Sequence, residues 1–399
     1  MVGDGTTAFE AMSAAIARAR EIFDGSTDFT LGVEEEYAIL DPESLDLVPE
    51  WERTSAAAID AGLEQALAGE LLASEIEFRT GKCTSWADAV AELTDIRARV
   101  AQVMRNEGLA VGISGTHPWA DYREQQIIEQ PYYRQLVDRL QYVAHRNNTF
   151  GLHVHVGVRG ADRAVAVANA LRNVQPVLLA ASTSSPFLDG RDCGLASARS
   201  LTFSRTFPRG NFAPAWRDFD HFLEYLGFLR DTGSITSIGQ SWWGVRPHVL
   251  IGTVELRMFD GQPRLDDTLA LTALAQGLVA HFCQEYDEHG GLPEPFPGYM
   301  IDENLWRAAR FGTDAQLIDL PTTSVVPVAE LGLAWVDRAR AAGQRAQLGI
   351  DEGLDRAAQI FVDGSSATRQ RQVAAGGSMR DAFASVVAET MATSSVSAS

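Results

Sequence analysis

Hydrophobic spacing divides the chain into helices and strands before any single residue stands out. Residues 6–23 (TTAFEAMSAAIARAREIF) repeat apolar positions at helical intervals. FTLGVEEEYAIL then alternates at period two, so a helix leading into a strand is predicted. WADAVAELTDIRARVAQVMRNEG reads as a long amphipathic helix ending at Gly108, and LAVGISGTHP as a buried strand leaving through a Gly/Pro turn. A helix fits PYYRQLVDRLQYVAHRN. TFGLHVHVGV alternates again, RAVAVANALRNVQPVLLAAST is an apolar helical stretch, HVLIGTVELRMFDGQP supplies another strand, and DDTLALTALAQGLVAHFCQEY a further helix. The remainder to about Val387 is mostly helical.

The segment from Ser185 to Pro214, rich in Gly, Pro, Arg and Ser, is long for a structureless connection and reads as a binding loop. The final ATSSVSAS has the composition of a disordered tail. The expected organisation is one catalytic domain over residues 1–390, with a helix at 6–23, catalytic strands within 29–260 and a helical part at 264–387, followed by a tail at 391–399. Strands separated by helices could form a parallel doubly wound sheet. No GxGxxG follows a strand, however, and no GxxxxGK[ST] exists; Lys82, the only lysine, lies outside any such loop. An α+β fold fits better, with a largely antiparallel sheet whose apolar face packs on helices and whose polar face lines an open funnel.

Period two also sorts the chemistry by face. Glu34 and Glu36 point one way, with Val33, Glu35 and Tyr37 opposite. In EIEFRT, Glu75, Glu77 and Arg79 share a face; in GLHVHVGV, His153 and His155; in GTVELRMF, Thr253, Glu255 and Arg257. Each motif alone has a bland explanation. An ExE strand is more often a solvated face, paired histidines are as often structural, and ELR is more often a cross-strand ion pair. Four strands on one plan are harder to explain that way. If their polar faces meet, the carboxylates repel one another unless cations intervene, and oxygen donors favour magnesium, or manganese, over zinc. Glu75 reads as a surface or supporting residue, because Glu77 sits deeper in the apolar run.

Composition narrows the partners. With 53 acidic against 33 basic residues the net charge is −20, which disfavours nucleic acid and anionic membrane surfaces. An anion such as ATP then needs arginines and divalent cations to invert the field locally. Three cysteines, Cys83, Cys193 and Cys283, with no CxxC, indicate neither a disulfide framework nor a zinc site and point to a reducing cytoplasm. No leader or spanning segment is read from the sequence. Arg199, Arg205 and Arg209 are candidates to clamp phosphate or an amino-acid carboxylate, and Arg246 lies within reach of the same cavity. His117 either closes the site or stabilises its turn. Trp242 and Trp243 read as packing residues.

LGVEEEY, IEFRT, SGTHP, GLHVHVGV, the SxR of ASARS, WWGVRP and VELRMFD, in this order, resemble the type 2 glutamate–cysteine ligases, also called carboxylate–amine ligases. The resemblance runs from about Phe29 to Asp260 and in helical pattern to about Phe361. It implies a glutamine synthetase-like sheet that holds two or three magnesium ions and ATP in a funnel. By motif, Glu34, Glu36, Glu77 and Glu255 resemble metal ligands, His153 a metal or phosphate contact, and His155 and Arg257 nucleotide and phosphate contacts. Arg257, Arg246 and Arg199 are the expected catalytic residues, and Arg205 a further nucleotide contact. One departure is Gly244, where the family wording WWDxRP carries an acid. The implied reaction joins glutamate, through a γ-glutamyl phosphate, to an amine, cysteine by default, and a homodimer is reasonable. The rival classes are an amide hydrolase indifferent to ATP, a ligase using another amine, and an inactive paralogue.

Overall fold

The alternating run at 31–40 forms β1 (Leu31–Leu40), the central strand of the computed structural model, which describes residues 3–392, with side chains from residue 8. The other strands are β2 (Leu67–Ala68), β3 (Glu75–Arg79), β4 (Ala110–Gly112), β5 (Gly151–Gly157), β6 (Phe187–Leu188), β7 (Arg191–Asp192), β8 (Val245–His248), β9 (Thr253–Asp260), β10 (Gln316–Ile318) and β11 (Val325–Pro327). Seven of them make one sheet in the order β2-β3-β1-β5-β9-β8, with β4 also pairing β1. All its pairings are antiparallel. The fold class is therefore α+β, as the polar/apolar alternation predicts.

The rear face is apolar because Val33, Leu152, Val154, Val156, Val254 and Leu256 alternate with the polar residues of their strands, and all are buried. They belong to one core cluster with the apolar side chains of the helices Ala161–Ser182 and Leu265–His289. Each such side chain contributes roughly 1.5–3 kcal/mol on leaving water, and a one-residue slip would expose the whole set. Rear-face packing thus fixes the register of the front face. Helix Ala161–Ser182 is long and apolar enough to cross a membrane by composition, but 83% of its most apolar window is buried inside the protein.

Glu35 also points rearward. The helix Trp86–Asn106, started by a capping box between Ser85 and Asp88, carries Arg97 under the sheet. The Arg97 guanidinium grips both Glu35 oxygens, its Nε donating to Oε2 at 2.9 Å. Tyr37 and Thr268 donate to the same carboxylate at 3.0 and 2.8 Å.

Several segments differ from expectation. PYYRQLVDRLQYVAHRN is two helices, Pro131–Leu140 and Tyr142–His145, because Gln141 adopts a left-handed backbone (φ 50°). The 185–214 segment is not a structureless loop: it holds the β6–β7 hairpin and a short helix, Ala198–Ser204. A second hairpin, β10–β11, interrupts the helical C-terminal part. The last helix runs to Met391, past Val387 and into the stretch read as tail; residues 393–399 lie outside the described ones.

Candidate active site

Strand register brings the polar residues together. Across β1 and β5, Glu34 lies opposite His153; across β1 and β3, Glu36 opposite Glu77; across β5 and β9, His155 opposite Glu255; and across β8 and β9, Arg246 opposite Glu255. Nδ1 of His153 is 2.9 Å from Oε2 of Glu34, and its Nε2 is 3.6 Å from Oε1 of Glu36. Nε2 of His155 sits 3.4 Å from Glu34 and 3.8 Å from Glu255, while its Nδ1 meets the Thr253 hydroxyl at 3.0 Å. On this face, three groups have donor atoms all within 4.8 Å of one another: Glu34, Glu77 and His153; Glu34, His155 and Glu255; and Glu36, Glu70 and Glu77.

Glu70 is the member that strand periodicity missed. It follows β2 in the turn towards β3, on no regular strand face, and the hairpin folds it over Glu77. Burial and then the neighbouring Glu36 push its carboxyl up to about 7. Burial followed by Glu34 drives Glu77 well above the usual carboxylate range. Glu34 goes the other way: burial would raise it, but the hydrogen bonds to His153 and His155 outweigh that and hold it well below. Burial likewise opposes ionisation of Glu255, yet Arg246 and Arg257 keep it well below the ordinary value. Burial, reinforced by Arg257, lowers His153, leaving a neutral imidazole with a lone pair to offer.

This set fits a hard divalent cation. Two like charges about 4 Å apart repel by ~4 kcal/mol at an effective dielectric of about 20, and Glu34, Glu36, Glu70 and Glu77 face that repulsion together. Nε2 of His155, buried between two carboxylates, has no hydrogen-bond partner. The donors are mainly carboxylate oxygens with one or two imidazoles, a set suited to magnesium or manganese.

A pH experiment checks the crowding. Because the folded-state pKa of Glu70 lies above its unfolded value, its penalty is absent below about 4.5 and grows as pH rises towards about 7. Without divalent cations, Glu70→Gln should therefore match wild type in thermal stability near pH 4.5 and exceed it above pH 7. Magnesium should reduce that gap. Equal stability at both ends would show that Glu70 is not crowded.

The arginines divide into two kinds. Arg246 turns to Glu255, its Nε donating at 2.6 Å, and its Nη1 to the carbonyls of Ser241 and Gly239 at 2.6 and 3.0 Å. It orients Glu255 and does not line the cavity described next. Arg257 donates to the other Glu255 oxygen at 2.6 Å but leaves its Nε unpartnered. Arg199, only 4% exposed, has two long contacts of 3.4 Å to the carbonyls of Met258 and Arg257 and an unpartnered Nε. Arg199 and Arg257 line a cavity of about 160 Å³ together with Glu36, Glu70, Glu75 and His153.

A bulge and two glycines set Arg199. Pairing of β5 with β9 shifts between Leu152 and Val154, so Arg257 and Met258 together face His153, and Asp260 returns to the front opposite Gly151. Asp260 accepts from Ser184 N at 2.8 Å and from the hydroxyls of Ser185 and Ser197 at 2.7 and 2.8 Å. Ser197 caps the helix that carries Arg199, and Ser185 also receives the Arg199 amide at 3.1 Å. A Cβ on Gly151 would lie 2.2 Å from Arg199 Nη2, and one on Gly115 2.6 Å from Ser185 Oγ. Both positions must be glycine for Arg199 to lie across β5.

Other candidates sit elsewhere. Arg205 is not brought to the cavity: it is paired at the surface with Asp302 at 2.8 Å, because it caps the far end of its helix. Arg209 donates to the Gln240 carbonyl at 3.1 Å and lies over Trp242. His117 stabilises its turn, with Nε2 on the Leu45 carbonyl at 2.8 Å and Nδ1 receiving the Ala120 amide at 3.0 Å; burial lowers it to about 4. Glu75 is neither surface nor remote: at 1% exposure it lines the cavity, together with the apolar side chains of Leu71 and Leu136. Trp242 also lines the cavity, whereas Trp243 is in the core. Gly244 faces away from it, its missing Cβ pointing at the Gln175 amide on the rear helix.

The fold and this front face define a class: an antiparallel α+β funnel lined with carboxylates, imidazoles and arginines. The profile of glutamate–cysteine ligase family 2 matches residues 30–389, and the chain belongs to that family. A Rubrobacter xylanophilus protein provisionally named glutamate–cysteine ligase 2-1 is 37% identical over 88% of this chain and 91% of its own length. A glutamate–cysteine ligase of Natronomonas pharaonis is 36% identical over 86% and 94%. Among solved structures, the Francisella tularensis glutamate–cysteine ligase in complex with AMP superposes with a TM-score of 0.70 over 92% of this chain and 89% of that one, at 12% identity. A bifunctional glutathione synthetase from Pasteurella multocida gives 0.67 over 95% and 54%, at 14% identity. These two share the fold.

Proposed function

We propose that the chain is an ATP-dependent ligase that activates the γ-carboxylate of L-glutamate and joins it to an amine, with L-cysteine as the first amine to try. The observation that carries this is the convergence of three overlapping donor groups on one face of the sheet, beside a cavity lined by two incompletely paired arginines. Family membership supports the ligase chemistry.

In this reading Glu34, Glu36, Glu77, His153 and Glu255, joined by Glu70, hold magnesium or manganese. When bound, the divalent cations offset negative charge on the phosphates and on the transferred phosphoryl group. Arg257, fixed by Glu255, points its free Nε into the cavity to orient an anionic oxygen, and His155 faces the same funnel as a nucleotide contact. Arg199 holds a carboxylate of the acyl substrate. Arg246 acts through Glu255, as a positioning residue. A γ-carboxylate oxygen of glutamate attacks the terminal phosphorus of ATP and ADP leaves. The unprotonated amine nitrogen then attacks the acyl carbon and phosphate leaves. Preorganised charges of this kind are each worth roughly 3–4 kcal/mol to such a step.

The test is phosphate release from magnesium–ATP with glutamate against a panel of amines. Release that depends on both glutamate and one of the amines, with the amide product found by mass spectrometry, is the expected result. No amine-dependent release with any carboxylate would remove the ligase reading, and ATP-independent amide cleavage would put a hydrolase in its place.

A further inference from the structure

The cavity holds an acid and a guanidinium that do not satisfy each other. Glu75 Oε2 is buried with no hydrogen-bond partner, and Arg199 Nε is buried with none. Both side chains line the same space, and the guanidinium of Arg199 reaches only main-chain carbonyls, at 3.4 Å. Leaving a buried charged group unpaired is costly, so each calls for a ligand of the opposite sign.

Glu75 also stands apart from the cation-binding carboxylates. Glu36, Glu70 and Glu77 share a donor group within 4.8 Å, whereas Glu75 is in no such group among the described residues. It lies one step further along β3, opposite Ala38, while Glu77 lies opposite Glu36. Residues two apart on a strand share a face about 6.6–6.8 Å apart. The main chain at Arg199 is in turn anchored, through the Ser185 and Ser197 hydroxyls, by Asp260.

We propose that Glu75 and Arg199 form a zwitterion subsite, in which Glu75 receives the α-ammonium and Arg199 the α-carboxylate of the amino acid whose side-chain carboxylate is activated. Glu75 is then the specificity residue that separates an α-amino acid from the corresponding dicarboxylate. The inference rests on the ligase reading for the identity of that amino acid, but its physical content is the charge pattern alone. Amino acids with a blocked α-nitrogen should be poor ligands for the same reason.

Calorimetric binding of L-glutamate and of glutarate, which lacks the α-amino group, tests it in the full chain with magnesium and a non-hydrolysable ATP analogue. Wild type should bind L-glutamate at least about tenfold more tightly than glutarate, the scale of one hydrogen bond to a charged group. Glu75→Gln should lower glutamate affinity to the level of glutarate and leave glutarate within about threefold of wild type. Arg199→Gln should weaken both ligands together. If Glu75→Gln melts without cooperativity, Glu75→Asp, which keeps the charge on a shorter arm, should retain a reduced preference for glutamate.

Equal binding of the two ligands by wild type, or an undiminished glutamate preference in the Glu75 variant, overturns the proposal. The ligase reading fails independently. Amine-dependent phosphate release could be absent while the binding difference holds, or release could persist with a Glu75 variant that discriminates as wild type does.

Discussion

Glu36→Ala should lower glutamate- and amine-dependent phosphate release by at least about a hundredfold, the scale on which single preorganised charge contacts act, while the metal-free protein becomes slightly more stable. Both halves follow from one geometry. Oε1 of Glu36 lies 3.6 Å from His153 Nε2, and a Glu36 oxygen belongs to the donor group with Glu70 and Glu77. Removing it opens that group to one fewer ligand. It also removes a negative charge that pushes Glu70, Glu75 and Glu77 up. One structural cost opposes this: the Glu36 carboxylate also accepts from the Gly151 amide, where β1 leaves β5. That amide sits under Arg199, so water entering the cavity can replace the lost acceptor. Magnesium should raise the melting temperature of wild type by preferential binding to the folded state and raise that of the variant much less. Wild-type turnover in Glu36→Ala, or an unchanged response to magnesium, would take Glu36 out of the site.

The front-face residues were legible in the sequence because strand periodicity is strict. Glu34, Glu36, Glu77, His153, His155, Glu255 and Arg257 lie on strands whose apolar partners admit only one register, so one face could be read against the other. What escaped depends on geometry that periodicity does not carry. Glu70 sits in a turn, and its only local signal is an acid in GELLASEIEF ahead of the EIE pair. Asp260 reaches the front through a bulge that restarts the alternation after Arg257. Glu75 shares its cavity with Leu136, which comes from a helix about sixty residues further along the chain, a neighbour that strand periodicity does not reveal. Arg199 and Arg205 looked equivalent while their segment was read as a loop. Once Ala198–Ser204 is a helix, six residues place Arg205 about 240° further round the axis, which turns it outward to Asp302.

Glu35→Ala should have the opposite signature to its neighbour: a loss of roughly 3–5 kcal/mol in folding free energy, the range for breaking a buried ion pair by removing one partner, read as a fall in the denaturant midpoint. Glu35 is 1% exposed and Arg97 6%. Arg97 also donates to the carbonyls of Pro263 and Gln262 at 2.8 and 2.9 Å, so it cannot swing out to solvent without breaking the turn after β9. The charge left behind would be buried beneath the strand that carries Glu34 and Glu36. Adding Arg97→Met should recover part of the loss, because an apolar side chain removes the uncompensated charge. A double variant as unstable as the sum of the two single ones would mean that the pair is not coupled. Three consecutive glutamates therefore separate by experiment. Glu36 should govern turnover with the fold retained, and Glu35 should govern the fold, with turnover falling only as the folded fraction falls. The alternation of β1 alone decides which is which.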